Sequence, residues 1–137
     1  MKGLIFRGFL VTNSAFRNEL GHNERVALAV KYRYAVKRLQ ERADVLVAEC
    51  HAMVGEKDQG RFSLEVTIRG EFLKTVECEA EPAAVQRAMF EALYPYLRTY
   101  IFNLTANAGM PPLTLPVAPA PPPASKAQNV GQGELLQ

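Results

Sequence analysis

The sequence predicts an α+β domain in which a four-stranded antiparallel sheet carries one long, kinked helix on one face. Two segments, 25–39 and 61–77, alternate apolar and polar residues as half-buried strands do. A third segment, 82–109, instead repeats apolar residues at helical spacing. Because short loops join the strand segments and the helical pattern follows them, this order favours a sheet with the helix packed on one side.

The first two strands are predicted in the N-terminal third. Residues 3–13 form a short apolar run rich in β-forming residues, which predicts the first strand. Residues 14–23 are polar and predict a connection. Residues 25–39 alternate clearly, so we expect a long second strand with one buried face and one basic, solvated face.

The next two strands form a predicted hairpin. Residues 44–54 alternate less cleanly, as a central strand covered on both faces does. The glycine and charge content of GEKDQG, at 55–60, is typical of a hairpin loop. The fourth strand follows at 61–77, where Gly70 indicates either a bulge or the close approach of another backbone.

The helix is predicted to begin at Pro82, which suits a first helical position because its missing N–H is not needed there. Pro95 lies in mid-pattern and predicts a kink or break near Tyr94. Gly109 and the following Pro-Pro pair end the helix. Its apolar ridge comprises Val85, Met89, Leu93, Leu97, Ile101 and Leu104 or Thr105.

A second apolar row lies beside this ridge and consists of Phe90, Tyr94, Tyr100 and Phe102. A single sheet covers one face of a helix. We therefore expect the second row to be buried by another subunit or by a client polypeptide.

Composition restricts the functional class. A chain of 137 residues, 48% hydrophobic and 22% charged, is typical of one globular domain. No apolar run approaches the roughly 20 residues of a membrane span, so membrane insertion is not expected, and Arg7 interrupts the N-terminal run, which argues against a signal peptide. Cys50 and Cys78 form no short-spaced motif, which favours a reducing cytoplasm.

Catalytic and cofactor motifs are not evident, so we expect neither an enzyme nor a cofactor. Cys50 and His51 are adjacent on a strand, where their side chains point to opposite faces and cannot form a nucleophile–base pair. No spacing typical of a metal site or a phosphate-binding loop occurs.

The basic face of the second strand, with Lys31, Arg33 and Lys37, raises the possibility of nucleic-acid binding. Glu65 and Glu71 are predicted on the same side of the sheet and would dilute that charge. A sheet-type nucleic-acid module has exposed aromatic residues among its basic residues. Here the tyrosines of the second strand alternate to the opposite face, away from the basic residues. A solvated outer face is therefore the favoured interpretation, with no nucleic-acid partner.

The C-terminal residues change in composition. Residues 118–137 are rich in Pro, Ala, Gly and Gln and carry only two charges, Lys126 and Glu134. Such a segment buries too little apolar surface to offset its ordering entropy. We therefore predict a domain at 1–117 and a disordered tail at 118–137, serving as a spacer or as a peptide ligand for another protein.

Two segments carry a resemblance to a known family. YPYLR at 94–98 and GMPPLTL at 109–115 resemble the long-helix and Pro-Pro loop signature of the SecB family of protein-export chaperones. FSLEV at 62–66 is similar to the strand that precedes them in that family, and the resemblance covers about residues 3–117.

The resemblance implies a homotetramer, a dimer of dimers with helices sandwiched between two larger sheets. It also implies a non-enzymatic holdase that binds unfolded, apolar polypeptides in surface grooves and passes them to the SecA motor for export. By match to the family, the client-binding candidates are Leu64, Val66, Ile68, Tyr94, Tyr96, Tyr100, Met110 and Leu113. For the three strand residues, core packing is an equally good interpretation, because they alternate as core residues do.

The sequence also departs from the family. Export-dedicated members carry acidic residues on the first strand for docking on SecA, where this chain has Asn13 and Arg17, and only Glu65 keeps an acidic character that could face SecA. The family's closing helix is replaced by Ala-Pro repeats. These departures argue against SecA docking. They do not argue against apolar client binding, so the predicted function is a SecB-like holdase for protein export, with two alternatives: a dedicated chaperone of an antitoxin-type partner and a non-chaperone oligomeric assembly module.

Overall fold

The computed structural model describes residues 1–116 and 131–136, apart from Asn23, Asp58 and Gln59. Its elements are β1 (Leu4–Asn18), β2 (Leu28–Arg38), β3 (Val45–Glu56), β4 (Phe62–Lys74), α1 (Pro82–Asn107) and β5 (Gly131–Leu136). The strands form one antiparallel sheet in the order β1-β4-β3-β2-β5. The predicted α+β class, with four strands followed by one long helix on one face, is confirmed.

Strand β1 is longer than predicted, because it continues through residues 14–18, which we expected to be a connection. The continuation pairs with β4 as far as Asn18, opposite Phe62. Two register shifts, between Phe6 and Gly8 and between Val11 and Asn13, interrupt the alternation of faces along β1. A strand with two bulges does not show a period of two, so sequence patterning alone underestimates its length.

The core lies between α1 and one face of the sheet. The predicted ridge is buried from Val85 to Ile101, and of the two predicted ends it is Thr105 that is buried. The ridge forms one core cluster with the inward-facing residues of β2, β3 and β4, for example Val30, Cys50 and Val66. Gly70 allows this packing, because a Cβ at that position would lie 2.8 Å from Leu93 Cδ1. The close approach at Gly70 is therefore made by a side chain, whereas the sequence had indicated a bulge or the approach of another backbone.

The sheet covers more of the helix than we expected. Phe90 and Tyr94, from the second apolar row, are buried against β2. Phe90 makes an edge contact with Tyr34 at 5.2 Å between ring centroids, and Tyr94 makes one with Tyr32 at 5.9 Å. The prediction that one sheet could not cover this row is wrong for these two residues, because aromatic side chains on β2 reach beyond the ridge.

The helix runs through Pro95 from Pro82 to Asn107, so no break occurs. Proline removes the hydrogen bond that would reach the Glu91 carbonyl. Pro95 and Glu91 both lie on the exposed side of α1, where water can satisfy that carbonyl.

The fifth strand corrects part of the tail prediction. Residues 131–136 were predicted to be disordered, but they pair antiparallel with Ala29–Tyr34 of β2. Pairing with an open sheet edge uses backbone groups, so it requires no hydrophobic pattern that composition could reveal. The rest of the predicted tail, 118–130 and Gln137, lies outside the described residues, as does Val117, the last residue of the predicted domain.

Candidate functional site

An aromatic cluster lies on the flank of α1 that faces β1. Phe9 and Tyr96 stack at 4.5 Å between ring centroids, and Phe6 contacts both Tyr96, at 5.6 Å, and buried Phe72, at 5.0 Å. Phe9 is 39% exposed and Tyr96 is 43% exposed. We call Phe6, Phe9 and Tyr96 the aromatic patch. It continues the core outward to the surface, so it offers an apolar contact on a rigid base.

A bulge in β1 creates this patch. Residues three apart on a regular strand point to opposite faces. The register shift between Phe6 and Gly8 inserts one extra residue, so that Phe6 stands opposite Phe72 and Phe9 stands opposite Gly70, two positions on the helix side of β4. Both phenylalanines therefore lie on the helix side, where Tyr96 meets them.

The other flank of α1 is lined by the chain that follows the helix. Arg98 donates a hydrogen bond from Nε to the Leu115 carbonyl at 2.7 Å. The Tyr94 hydroxyl donates to the Pro116 carbonyl at 2.5 Å and also pairs with the Tyr32 hydroxyl at 3.2 Å. These bonds hold the returning segment beside the helix.

The returning segment and α1 enclose a small hollow. Its volume is about 150 Å³, and it is lined by Arg98, Thr99, Phe102 and Thr114. Phe102 is 41% exposed. It follows Tyr96 by six residues, about 240° around a helix, so the two rings lie on opposite flanks of α1.

A larger cleft lies where α1 ends beside the end of β1. Its volume is about 650 Å³, and Asn18, Leu20, Met110 and Pro111 are among the residues that line it. Met110 is half-buried, and its sulfur lies 3.9 Å from Asn18 Nδ2. A flexible thioether at the rim can adapt to different side chains.

A third cavity, of about 330 Å³, lies below the first turn of α1. Val36, Leu46, Val85 and Met89 supply its apolar wall. The cations among its lining residues are Lys37, Arg38 and Lys74. Lys37 is engaged by Glu49 at 3.1 Å. Sequence reasoning did not identify this cavity, because its residues come from the ends of β2, β3 and β4 and from α1.

The structure separates the predicted client-binding residues into two groups. Leu64, Val66, Ile68, Tyr94 and Leu113 are buried in the core of the single chain. For the strand residues this is the core-packing alternative, and the physical reason is that α1 lies directly over them. Tyr96 is exposed, while Tyr100 and Met110 are half-buried. Of these, Tyr96 belongs to the aromatic patch and Met110 lines the larger cleft, and Phe9 is a surface residue that the prediction missed.

The outer face of the sheet carries the residues predicted to bear on SecA. Asn13 stands opposite Thr67, Ala15 opposite Glu65, and Arg17 opposite Ser63. Glu65 Oε1 lies 3.5 Å from Nε2 of His51 on β3. That geometry is too long for a good hydrogen bond, and Nε2 is buried without one. Lys31 pairs with Met53, which pairs with Glu65, so basic and acidic residues share this face, as the sequence predicted.

The two neighbours Cys50 and His51 lie on opposite faces, as the strand pattern predicted. Cys50 is fully buried under α1, and burial raises the pKa of its thiol to about 12. A thiol that stays protonated at neutral pH is a poor nucleophile. Within the described residues, no three His, Cys, Asp or Glu side chains are grouped so that they could hold a metal ion. In the same part of the chain, no helix combines the length and apolar character that crossing a membrane requires.

Comparison with known proteins gives matches in sequence and in structure. No protein-family model matches the sequence. Over 34 residues, 25% of this chain, it is 50% identical to two curated relatives, the SecB-like chaperones Rv1957 and MT2006 of Mycobacterium tuberculosis strains H37Rv and CDC 1551. The matched segment spans only 19% of the length of either relative.

A solved structure matches over most of the fold. It is the M. tuberculosis Rv1957 SecB-like chaperone in complex with a ChAD peptide from the Rv1956 HigA1 antitoxin. The match covers 85% of this chain and 88% of that chain, with a TM-score of 0.66 and 17% sequence identity. The chain therefore has the fold of this SecB-like chaperone over most of its length, and it is similar in sequence to the two SecB-like relatives over the matched segment.

Proposed function

We propose that this protein is a chaperone that holds extended, apolar polypeptides against the flanks of α1, and that its client is a dedicated antitoxin-type partner. The observation that carries the proposal is the aromatic patch, which presents exposed rings on a rigid SecB-like fold. The solved SecB-like relative, which holds an antitoxin peptide, supports the choice of client.

The physical argument for a holdase rests on the kind of surface. Broad binding requires apolar area and backbone hydrogen bonding rather than a shaped catalytic pocket. Tyr96 and Phe102 on opposite flanks of α1, with Met110 at the end of the helix, provide separate contacts along one rod. A client that engages several of them at once gains avidity without any single tight contact. No catalytic role is part of this proposal.

Tyr96 provides the first test. Tyr96 is 43% exposed, and a tyrosine side chain has a surface of about 200 Å². Covering the exposed part contributes about 2 kcal/mol at 25 cal/mol/Å², so the loss of this contact can weaken binding by at most roughly thirtyfold. We expect Tyr96→Ser to weaken binding of a reduced, carboxymethylated unfolded protein by about tenfold, and Phe9→Ser to weaken it similarly. Binding is measured by titration with the fluorescently labelled client.

Leu39→Ser is the matched control, because Leu39 is 42% exposed but lies in the turn after β2. Its affinity is expected to stay within twofold of the unmodified protein. Equal losses in all three variants would show that surface apolarity in general, and not the patch, drives binding. If the unmodified protein fails to prevent aggregation of an unfolded protein at equimolar amounts, the chain is an assembly module and not a holdase.

A homotetramer, a dimer of dimers in the cytoplasm, is part of the proposal. The exposed rings of Phe9, Tyr96 and Phe102 offer surface for sister protomers as well as for a client. Light scattering is expected to give four times the mass of one chain. A monomeric mass would exclude the tetramer, in which the helices are sandwiched between two sheets.

Export through SecA is the second candidate. Glu65 supports it, as an acidic side chain on the outer face that is partly solvent-exposed. Asn13 and Arg17 weigh against it, because neither supplies an acidic group on β1. Co-sedimentation with purified SecA separates the two: binding that Glu65→Gln abolishes would favour export, whereas no binding would favour the dedicated role.

A further inference from the structure

The edge of β2 is the feature that the proposed function leaves unused. In the sheet order, β2 would be an edge strand if β5 were absent. It pairs with β3 from Leu28 to Arg38 without any register shift, whereas the opposite edge strand, β1, carries two bulges. Natural proteins protect sheet edges with bulges, short strands or covering segments, because a long regular edge recruits other strands. On β2 the protection is a covering segment, β5.

The covering segment is a weak strand by composition. It pairs with six residues of β2, Ala29–Tyr34, and leaves Ala35–Arg38 without β5. Two of its six residues, Gly131 and Gly133, have low β-propensity. A segment that binds through its backbone and with little intrinsic preference can be displaced by another extended chain.

We propose that residues 131–136 act as an intramolecular strand ligand that masks the edge of β2, and that an extended client polypeptide adds to the sheet at this same edge when they leave. The site would take any extended segment that offers backbone N–H and C=O groups to β2. The client half of this proposal rests on the proposed function, whereas the masking half does not.

The strength of the masking follows from the tether. A ligand that belongs to the same chain as its site acts at an effective concentration on the order of 1 mM. The tail then weakens a competing peptide by about 1 + C/Kd, where C is that concentration and Kd is the affinity of the free tail peptide for an uncovered edge. For a Kd of about 0.1 mM, the expected factor is about tenfold.

Two double-proline variants of the full chain test the masking. In a strand, alternate residues direct their N–H groups to opposite sides, so one of the pairs Gly131→Pro/Gly133→Pro and Gln132→Pro/Glu134→Pro removes the N–H groups that face β2. The other pair removes N–H groups that face away, and proline is tolerated at such edge positions. The two variants contain the same number of prolines, so each is the matched control of the other.

The first readout is amide hydrogen exchange of residues 29–34. In one variant only, those amides of β2 that do not bond to β3 are expected to exchange about tenfold faster. The second readout is binding of a labelled synthetic peptide of residues 126–137, which should bind that variant about tenfold more tightly than the unmodified chain. Equal exchange and equal peptide binding in all three proteins would overturn the masking.

The third readout is binding of the reduced, carboxymethylated protein. Tighter binding by the uncovered variant alone supports client addition at β2, and equal binding by all three proteins overturns it. Failure of every form, including the unmodified chain, to bind this client would count against the proposed function, while the exchange and peptide readouts would still decide the masking.

Discussion

The Tyr94 hydroxyl holds the chain that follows the helix against the core. The loss in free energy of unfolding when this hydroxyl is removed can be calculated. Tyr94 uses its one proton on the Pro116 carbonyl, so Tyr32 must donate to Tyr94 across the 3.2 Å between their oxygens. Tyr94→Phe keeps the ring and its stacking on Phe90, at 5.4 Å between centroids. The substitution therefore isolates the two hydrogen bonds.

We expect Tyr94→Phe to lower the free energy of unfolding by about 1.5 kcal/mol. An unsatisfied buried group costs about 1–3 kcal/mol, and the lower half of that range applies because the bond to Pro116 is only partly buried. With a urea m-value of about 1.5 kcal/mol/M, the midpoint of unfolding falls by about 1 M. Urea titrations followed by circular dichroism at two protein concentrations separate this effect from any change in oligomerisation.

Tyr96→Phe is the matched control, since the exposed Tyr96 hydroxyl can be solvated by water and its loss should change stability by less than about 0.5 kcal/mol. The reasoning is refuted if Tyr94→Phe unfolds within 0.5 kcal/mol of the unmodified protein at an unchanged m-value. It is equally refuted if the control loses as much stability as Tyr94→Phe.

Two further predictions concern the core. Thr105 Oγ1 donates to the Ile101 carbonyl at 2.9 Å and accepts the Leu113 N–H at 2.8 Å. Thr105→Val should therefore lower the free energy of unfolding by about 1–3 kcal/mol in the same urea assay. Thr99 is exposed, so Thr99→Val should change that free energy little, and equal losses in the two variants would contradict a stabilising role of the Thr105 hydrogen bonds. Between about pH 9 and pH 11 the Cys50 thiol ionises in the unfolded chain but stays protonated in the fold, where its pKa is about 12. The unfolded state then binds fewer protons, so stability should fall by up to about 1.4 kcal/mol per pH unit from this group, and Cys50→Ala should show a correspondingly shallower decline; identical slopes would contradict burial as the cause.

The sequence by itself determined the elements whose patterns are local. The ridge from Val85 to Ile101 has helical spacing, and its burial does not depend on which strand lies beneath it. The alternation in β2 and β4 likewise separated the inner face from the outer one before any pairing was known. The family resemblance added to these patterns the expectation of a client-binding surface at the helix.

Only the tertiary structure decided which face Phe9 lies on, which strand β5 pairs with, and whether Leu64 is buried. Phe9 reaches Tyr96 because a bulge, defined by the pairing of β1 with β4, shifts its face. Residues 131–136 find β2 through backbone groups that every sequence possesses. Leu64 alternates equally well as a core residue or as a groove residue, and α1 decides between them by covering it. Side-chain patterns record burial along one element, whereas pairing between distant elements is decided only when the chain folds.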